Sequence, residues 1–184
     1  MREMKLQCLA PQITDDEVRK LFTNRWRQFR LGRFLFDTSF YFPYHLFRVR
    51  VQNGKRDATQ FLAIDAVTGN LDLYRFDSAP TDEDFLEVET PQFGPMRLSE
   101  DEAFMRLQEK VQRSVYQQGF FQIADLRITG KQIALYYFPY QAGFYQRSNQ
   151  LKIEVVDLIR GRFEGAKVRE MVESCLVQDS ERKQ

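Results

Sequence analysis

The chain is poor in the residues that usually carry chemistry: one histidine, His45, one tryptophan, Trp26, and two cysteines, Cys8 and Cys175, in 184 residues. A single histidine excludes a histidine-built metal cluster and a relay of several imidazoles. Two thiols near opposite ends, without Cys-x-x-Cys spacing, exclude a disulfide framework. Both are expected as small buried hydrophobes, with a terminus-to-terminus disulfide as the alternative. No apolar run approaches the roughly 18 to 20 residues that span a bilayer. The start, Met1-Arg2-Glu3-Met4-Lys5, lacks the apolar stretch of a signal peptide. Apart from any leader already removed, the chain is expected in the cytoplasm.

Catalytic signatures are missing too: there is no Gly-rich phosphate loop, nucleophile elbow or dinucleotide fingerprint. The carboxylate groups Asp15-Asp16 and Asp82-Glu83-Asp84 fall in a helix start and a linker, where they favour the helix dipole or solubility. No catalytic residue, metal ligand or cofactor is assigned. A formal net charge of +1 argues against a dominantly basic nucleic-acid binder and against an acidic, disordered tail. Partners have to be sought in local patches.

What is present is a repeat. Tyr41-Phe42-Pro43-Tyr44 recurs as Tyr137-Phe138-Pro139-Tyr140, and each copy is followed by an apolar run ending in Asp-x-x-x-Gly, at Asp65 to Gly69 and Asp157 to Gly161. Upstream, Pro11-Gln12 before Thr14-Asp15-Asp16-Glu17 corresponds to Pro91-Gln92 before Ser99-Glu100-Asp101-Glu102. Landmarks in the same order identify an internal duplication, with length differences confined to the stretches between elements.

Each copy opens with a capping box, Thr14 with Glu17 and Ser99 with Glu102. Val18, Leu21, Phe22, Trp26 and Phe29 then share one face at helical spacing, as do Ala103, Phe104, Leu107, Val111, Ser114 and Val115. Both faces are expected against a sheet. After the first helix, Leu46–Val51 and Phe61–Ile64 form a hairpin around Asn53-Gly54, and Asn70–Phe76 returns as a strand. Ile133–Tyr137, Gly143–Gln146 and Leu151–Val156 play these parts in the second copy, with Ser148-Asn149 at the turn. The aspartates of the Asp-x-x-x-Gly turns are expected to accept backbone N–H groups, with glycine supplying positive φ.

Met4–Leu9 and Phe85–Glu89 read as further strands, and Ala166–Val177 as a final helix with Val168, Met171, Val172 and Leu176 inward. The expected fold is α+β, with two homologous modules, residues 1–80 and 81–184, joined around Asp77 to Asp84. Each is a helix packed on an antiparallel sheet, and the two are related by a pseudo-twofold.

Pro43 and Pro139 each remove a backbone donor and fix φ, so they should bend or interrupt their strands. Two roles remain open for the aromatics around them. They pack the bend as core, or Tyr41, Tyr44, Tyr137 and Tyr140, with His45 beside them, line a groove for a peptide or apolar ligand.

The helix, the hairpin and the Asp65-Ala66-Val67-Thr68-Gly69 turn together resemble the PepSY-type module, whose last hairpin carries an Asp-x-x-Thr-Gly turn. The likeness covers about Thr14 to Phe76 and Ser99 to Gly165, and the second copy has Arg160 in place of the threonine. It implies a non-catalytic, protein-binding role, although such modules are mostly extracytoplasmic.

The strongest electrostatic feature runs from Arg19 to Arg33. Its basic residues are Arg19, Lys20, Arg25, Arg27, Arg30 and Arg33, interleaved with Phe22, Trp26 and Phe29 and free of acidic residues. Such a segment suits an anionic membrane or a phosphate backbone. The acidic stretch Thr81–Glu89 could cover it within the chain or in a homodimer. The leading expectation is a non-enzymatic protein- or peptide-binding scaffold. A peripheral membrane or nucleic-acid binder using Arg19, Lys20, Arg27, Arg30 and Arg33 is the alternative, and a small enzyme comes third.

Overall fold

The computed structural model describes residues 4–117 and 125–181. In chain order its elements are β1 (Met4–Leu9), α1 (Asp15–Phe22), α2 (Arg25–Leu31), β2 (Arg33–Asn53), β3 (Arg56–Asp65), β4 (Tyr74–Phe76), β5 (Phe85–Thr90), α3 (Glu100–Gln117), β6 (Arg127–Arg147), β7 (Gln150–Asp157), β8 (Arg162–Phe163) and α4 (Ala166–Glu181). The chain is therefore α+β, with four helices and a large sheet among the described residues. No helix among them is long and apolar enough to cross a membrane.

The contacts divide the chain into two compact units, and neither is a contiguous half. One consists of Met1–Phe42, Phe85–Gly94 and Tyr137–Gln184, the other of Pro43–Asp84 and Pro95–Tyr136. The expected halves, 1–80 and 81–184, each contribute to both. The long strands β2 and β6 change unit at or beside the Tyr-Phe-Pro-Tyr segments, after Phe42 and after Tyr136.

In the first unit, α1 lies on the hairpin of β6 and β7. Val18, Phe22, Leu31, Tyr145, Val156 and Leu158 form its core, with Phe34 and Phe163 packed alongside. The hairpin closes with Arg147 opposite Gln150, and Ser148 at the turn has φ 54°. β1 pairs antiparallel with β5 from Met4–Thr90 to Leu9–Phe85, so the two strands expected before the Pro-Gln pairs partner each other. Helix α4 closes this unit through Val168, Met171 and Val172, all buried. Cys8 is buried and Cys175 half-buried, and neither is in a disulfide. Burial pushes the Cys8 thiol up to about 12, which keeps it an unreactive packing group.

The second unit repeats the arrangement with the other helix and hairpin. Helix α3 sets Ala103, Leu107 and Val111 against Phe47 and Val49 of β2 and Leu62 and Ile64 of β3. The β2–β3 hairpin runs from Tyr44–Asp65 to Asn53–Arg56, and β4 adds to the outside of β3. In both units, then, the helix of one sequence half packs on the hairpin of the other.

Two expectations need correcting. Pro43 and Pro139 do not interrupt their strands; β2 and β6 run through them unbroken. A strand tolerates a proline where no ladder N–H is required, and the neighbouring carbonyls stay in use: Pro43 O accepts Ala66 N–H at 2.8 Å and Pro139 O accepts Leu158 N–H at 3.1 Å. The second correction concerns the first helix, which stops at Phe22. The Thr23 hydroxyl donates to Arg19 O at 2.8 Å, and Asn24 caps a new helix by accepting Trp26 N–H at 3.0 Å. Trp26 and Phe29 therefore leave the buried stripe and stand 80% and 78% exposed.

The turns follow the sequence reading. Asp65 Oδ1 accepts Thr68 N–H at 2.6 Å and Gly69 N–H at 2.9 Å, and its Oδ2 accepts Leu71 N–H at 2.9 Å. Asp157 Oδ1 takes Ile159 N–H at 2.8 Å and Arg160 N–H at 2.9 Å. Gly69 and Gly161 have φ of 67° and 64°, a region open to glycine at little cost. Both aspartates are fully buried, and these bonds account for their position.

Candidate binding surface

The break after α1 opens an apolar cleft in the first unit. Phe22 anchors the end of α1: its ring stacks on Phe34 (5.8 Å, 11°) and meets Phe163 edge-on (5.8 Å, 75°), while its carbonyl accepts the Tyr145 hydroxyl at 2.8 Å. Gly143 leaves the room this ring needs, since a Cβ there would lie 2.5 Å from it. Burial raises the Tyr145 hydroxyl above its ordinary range, so it stays a donor at any physiological pH.

Helix α2 is held from beneath. Glu154, almost wholly buried, receives Arg27 at 3.2 Å, Arg169 at 3.4 Å and Arg30 at 3.7 Å. The Arg27 guanidinium also lies 3.3 Å from the centre of the Phe163 ring, a cation–π contact. Arg147 donates to Arg30 O at 2.8 Å, one of the carbonyls that a helix end leaves unpaired. Gly32 then stops the helix at φ 102°, where a Cβ would collide with the Gln146 carbonyl. These contacts press α2 down through Arg27, Arg30 and Leu31 and leave its opposite side in solvent.

On that side Trp26 and Phe29 meet edge-to-face, 6.4 Å apart at 85°. They are the most exposed large apolar side chains among the described residues. Around them opens a cleft of about 820 Å³, floored by Leu21 and Phe163 and rimmed by Lys20, Asn24, Arg27, Arg30 and Arg147. Among the described residues no carboxylate lines it. Arg19, Arg25 and Arg33 are exposed and have no ion-pair partner among the described residues. The surface combines an apolar wedge with a cationic rim, and the buried Glu154 beneath it already serves three guanidinium groups.

The other candidate residues are dispersed. Tyr44 is sealed in the second unit, edge-on to Tyr74 at 5.4 Å, and Tyr140 is sealed in the first, against Phe42 at 5.5 Å. Neither presents a ring face to a ligand. Tyr41 and Tyr137 are half-buried beside Phe93, which bridges to Tyr41 and lies edge-on to Tyr137 at 6.4 Å. Burial raises both of their hydroxyls. His45, 3% exposed, has both ring nitrogens engaged. Nε2 faces the Leu98 carbonyl oxygen at 3.0 Å and Nδ1 faces Gln132 Oε1 at 3.0 Å. Among the described residues no three His, Cys, Asp or Glu side chains gather as metal ligands.

The anionic-partner residues share one segment but divide by role. Arg27 and Arg30 tie α2 down and rim the cleft, Lys20 rims it, and Arg19 and Arg33 flank it in solvent. Their helical spacing predicts core positions for Trp26 and Phe29. The signal that places them outside is the pair Thr23-Asn24, a helix-interrupting residue followed by a good N-cap.

No family model matches the chain, and neither a curated protein nor a solved structure matches it at a significant level.

Proposed function

We propose that this chain is a non-enzymatic binding protein whose partner surface is the outer face of α2 with the adjoining cleft, and that the partner is anionic. The observation that carries the reading is the exposed Trp26–Phe29 pair beside a cleft whose charged lining, among the described residues, is entirely cationic. Contiguous exposed apolar side chains rimmed by polar groups mark interaction sites, because a free surface gains nothing from displaying them. The network beneath supports the same reading: Glu154 and Gly32 hold α2 rigid, so little ordering cost remains on binding.

The fold beneath is best read as an internal duplication. Paired capping boxes, paired buried Asp turns, paired bonds to Pro43 and Pro139, and positive φ at Gly69 and Gly161 all support it. The copies differ at this surface. Val111 continues the buried stripe of α3, whereas its counterpart Trp26 faces solvent, so the duplication has been specialised in its first copy. The Asp65 turn agrees with the PepSY likeness and with a non-catalytic role.

The test is retention on an anionic matrix under a salt gradient. A chain of net charge +1 should elute early unless its cations are concentrated. We expect wild type to be retained well beyond that and Arg19→Glu/Arg25→Glu to flow through. Equal elution of the two would overturn the reading.

A further inference from the structure

The inference rests on the anionic-partner reading and names the partner. We propose that α2 docks on an anionic lipid bilayer, with Trp26 and Phe29 entering the interfacial layer while Lys20 and Arg25 meet the lipid phosphates. A residue on a helix surface neighbours those three and four positions away, so Arg25 stands beside Phe29, and Arg30 beside Trp26. The apolar wedge is thus flanked by guanidinium groups at the depth where headgroups lie. Tryptophan is suited to that boundary, having an apolar body and one N–H to leave wet.

The same geometry disfavours a nucleic-acid strand. Successive bases stack on rings that present parallel, separate faces. Here the two rings are perpendicular and in contact, 85° and 6.4 Å, so they cannot hold adjacent bases of one strand. A strand also needs an extended basic track. The cations of this surface are concentrated around one short helix, in a chain whose charges nearly balance. A compact apolar wedge with a cationic collar fits a planar anionic surface better than a linear one.

The experiment is co-sedimentation of the full chain with two kinds of vesicle, phosphatidylcholine alone and phosphatidylcholine with phosphatidylglycerol in equal parts. A labelled single-stranded oligothymidylate provides a parallel binding arm. We expect binding to the mixed vesicles alone, weakening as salt shortens the screening length from about 10 Å at 0.1 M. Trp26→Ala/Phe29→Ala, both exposed and so costing folding little, should lower partition by about tenfold or more. Circular dichroism verifies that the variant is folded. Retained binding in that variant would overturn the proposal, since adsorption by charge alone needs no wedge. If wild type binds oligothymidylate but neither vesicle, the bilayer is overturned while the anionic-partner reading stands. Binding to none of the three overturns both.

Discussion

Phe22 and Trp26 lie four residues apart on what the sequence presents as one helical stripe, and alanine at each position should have very different consequences. Phe22 has no exposed surface and touches the rings of Phe34, Phe163 and Tyr145. Removing a fully buried phenylalanine costs about 4 kcal/mol, the lost transfer free energy plus an unfilled cavity. Trp26 is 80% exposed and its ring contact among the described residues is Phe29, 78% exposed. Its loss should cost about 0.5 kcal/mol, the value of one solvated aromatic pair. With a urea m-value of about 2 kcal/mol/M, the Phe22→Ala midpoint falls by about 2 M and the Trp26→Ala midpoint by about 0.25 M. Equilibrium urea unfolding followed by far-UV circular dichroism measures both. Similar large losses at the two positions would mean that α1 continues through Thr23-Asn24 and buries the indole, which would refute the helix break and the surface built on it.

Three further outcomes follow from the same geometry. Gly32→Ala forces a side chain into φ 102° and against the Gln146 carbonyl, so it should cost upward of about 1 kcal/mol and loosen α2, read as a lower thermal midpoint. Tyr145→Phe leaves the buried Phe22 carbonyl without its 2.8 Å donor and should cost about 1 to 2 kcal/mol by urea unfolding. Glu17 and Glu102 accept the backbone N–H and then the hydroxyl of their own cap residues, which holds both carboxyls below the ordinary 4.5. Their contribution is fully present above pH 4.5 and is lost as pH falls through the lowered folded values. Wild type should therefore lose more stability than Glu102→Gln over that acid range, and equal slopes would exclude the cap as the titrating element.

Local chemistry was readable from the chain because it depends on residues close in sequence. Thr14 and Ser99 cap their helices as the spacing with Glu17 and Glu102 requires, and Asp65 and Asp157 fold back onto the backbone just ahead of them. The β2–β3 hairpin turns after Asn53 for the same reason. What pattern could not decide was partnership. Val18 and Phe22 specify an apolar face but not which hairpin receives it, and the hairpin that does lies in the other half of the sequence. Trp26 and Phe29 continue the helical phase of Phe22, so periodicity assigns them to the core. The break depends on Asn24 capping a second helix, a competition that hydrophobic spacing does not register. The tyrosines of the repeated tetrapeptide illustrate the converse: Tyr44 is fully buried and Tyr41 only partly so, in a stretch where Phe42 to Phe47 are all buried, and composition alone does not reveal which ring is sealed.

The measurement that bears most directly on the binding surface uses the chain's single tryptophan as its own probe. Fluorescence of the folded chain, without any partner, is recorded with increasing iodide and acrylamide. The account predicts the emission of a water-exposed indole, quenched by both nearly as strongly as free N-acetyltryptophanamide, with iodide favoured by the surrounding cations. A blue-shifted emission that iodide cannot reach would place Trp26 in the core and contradict the account.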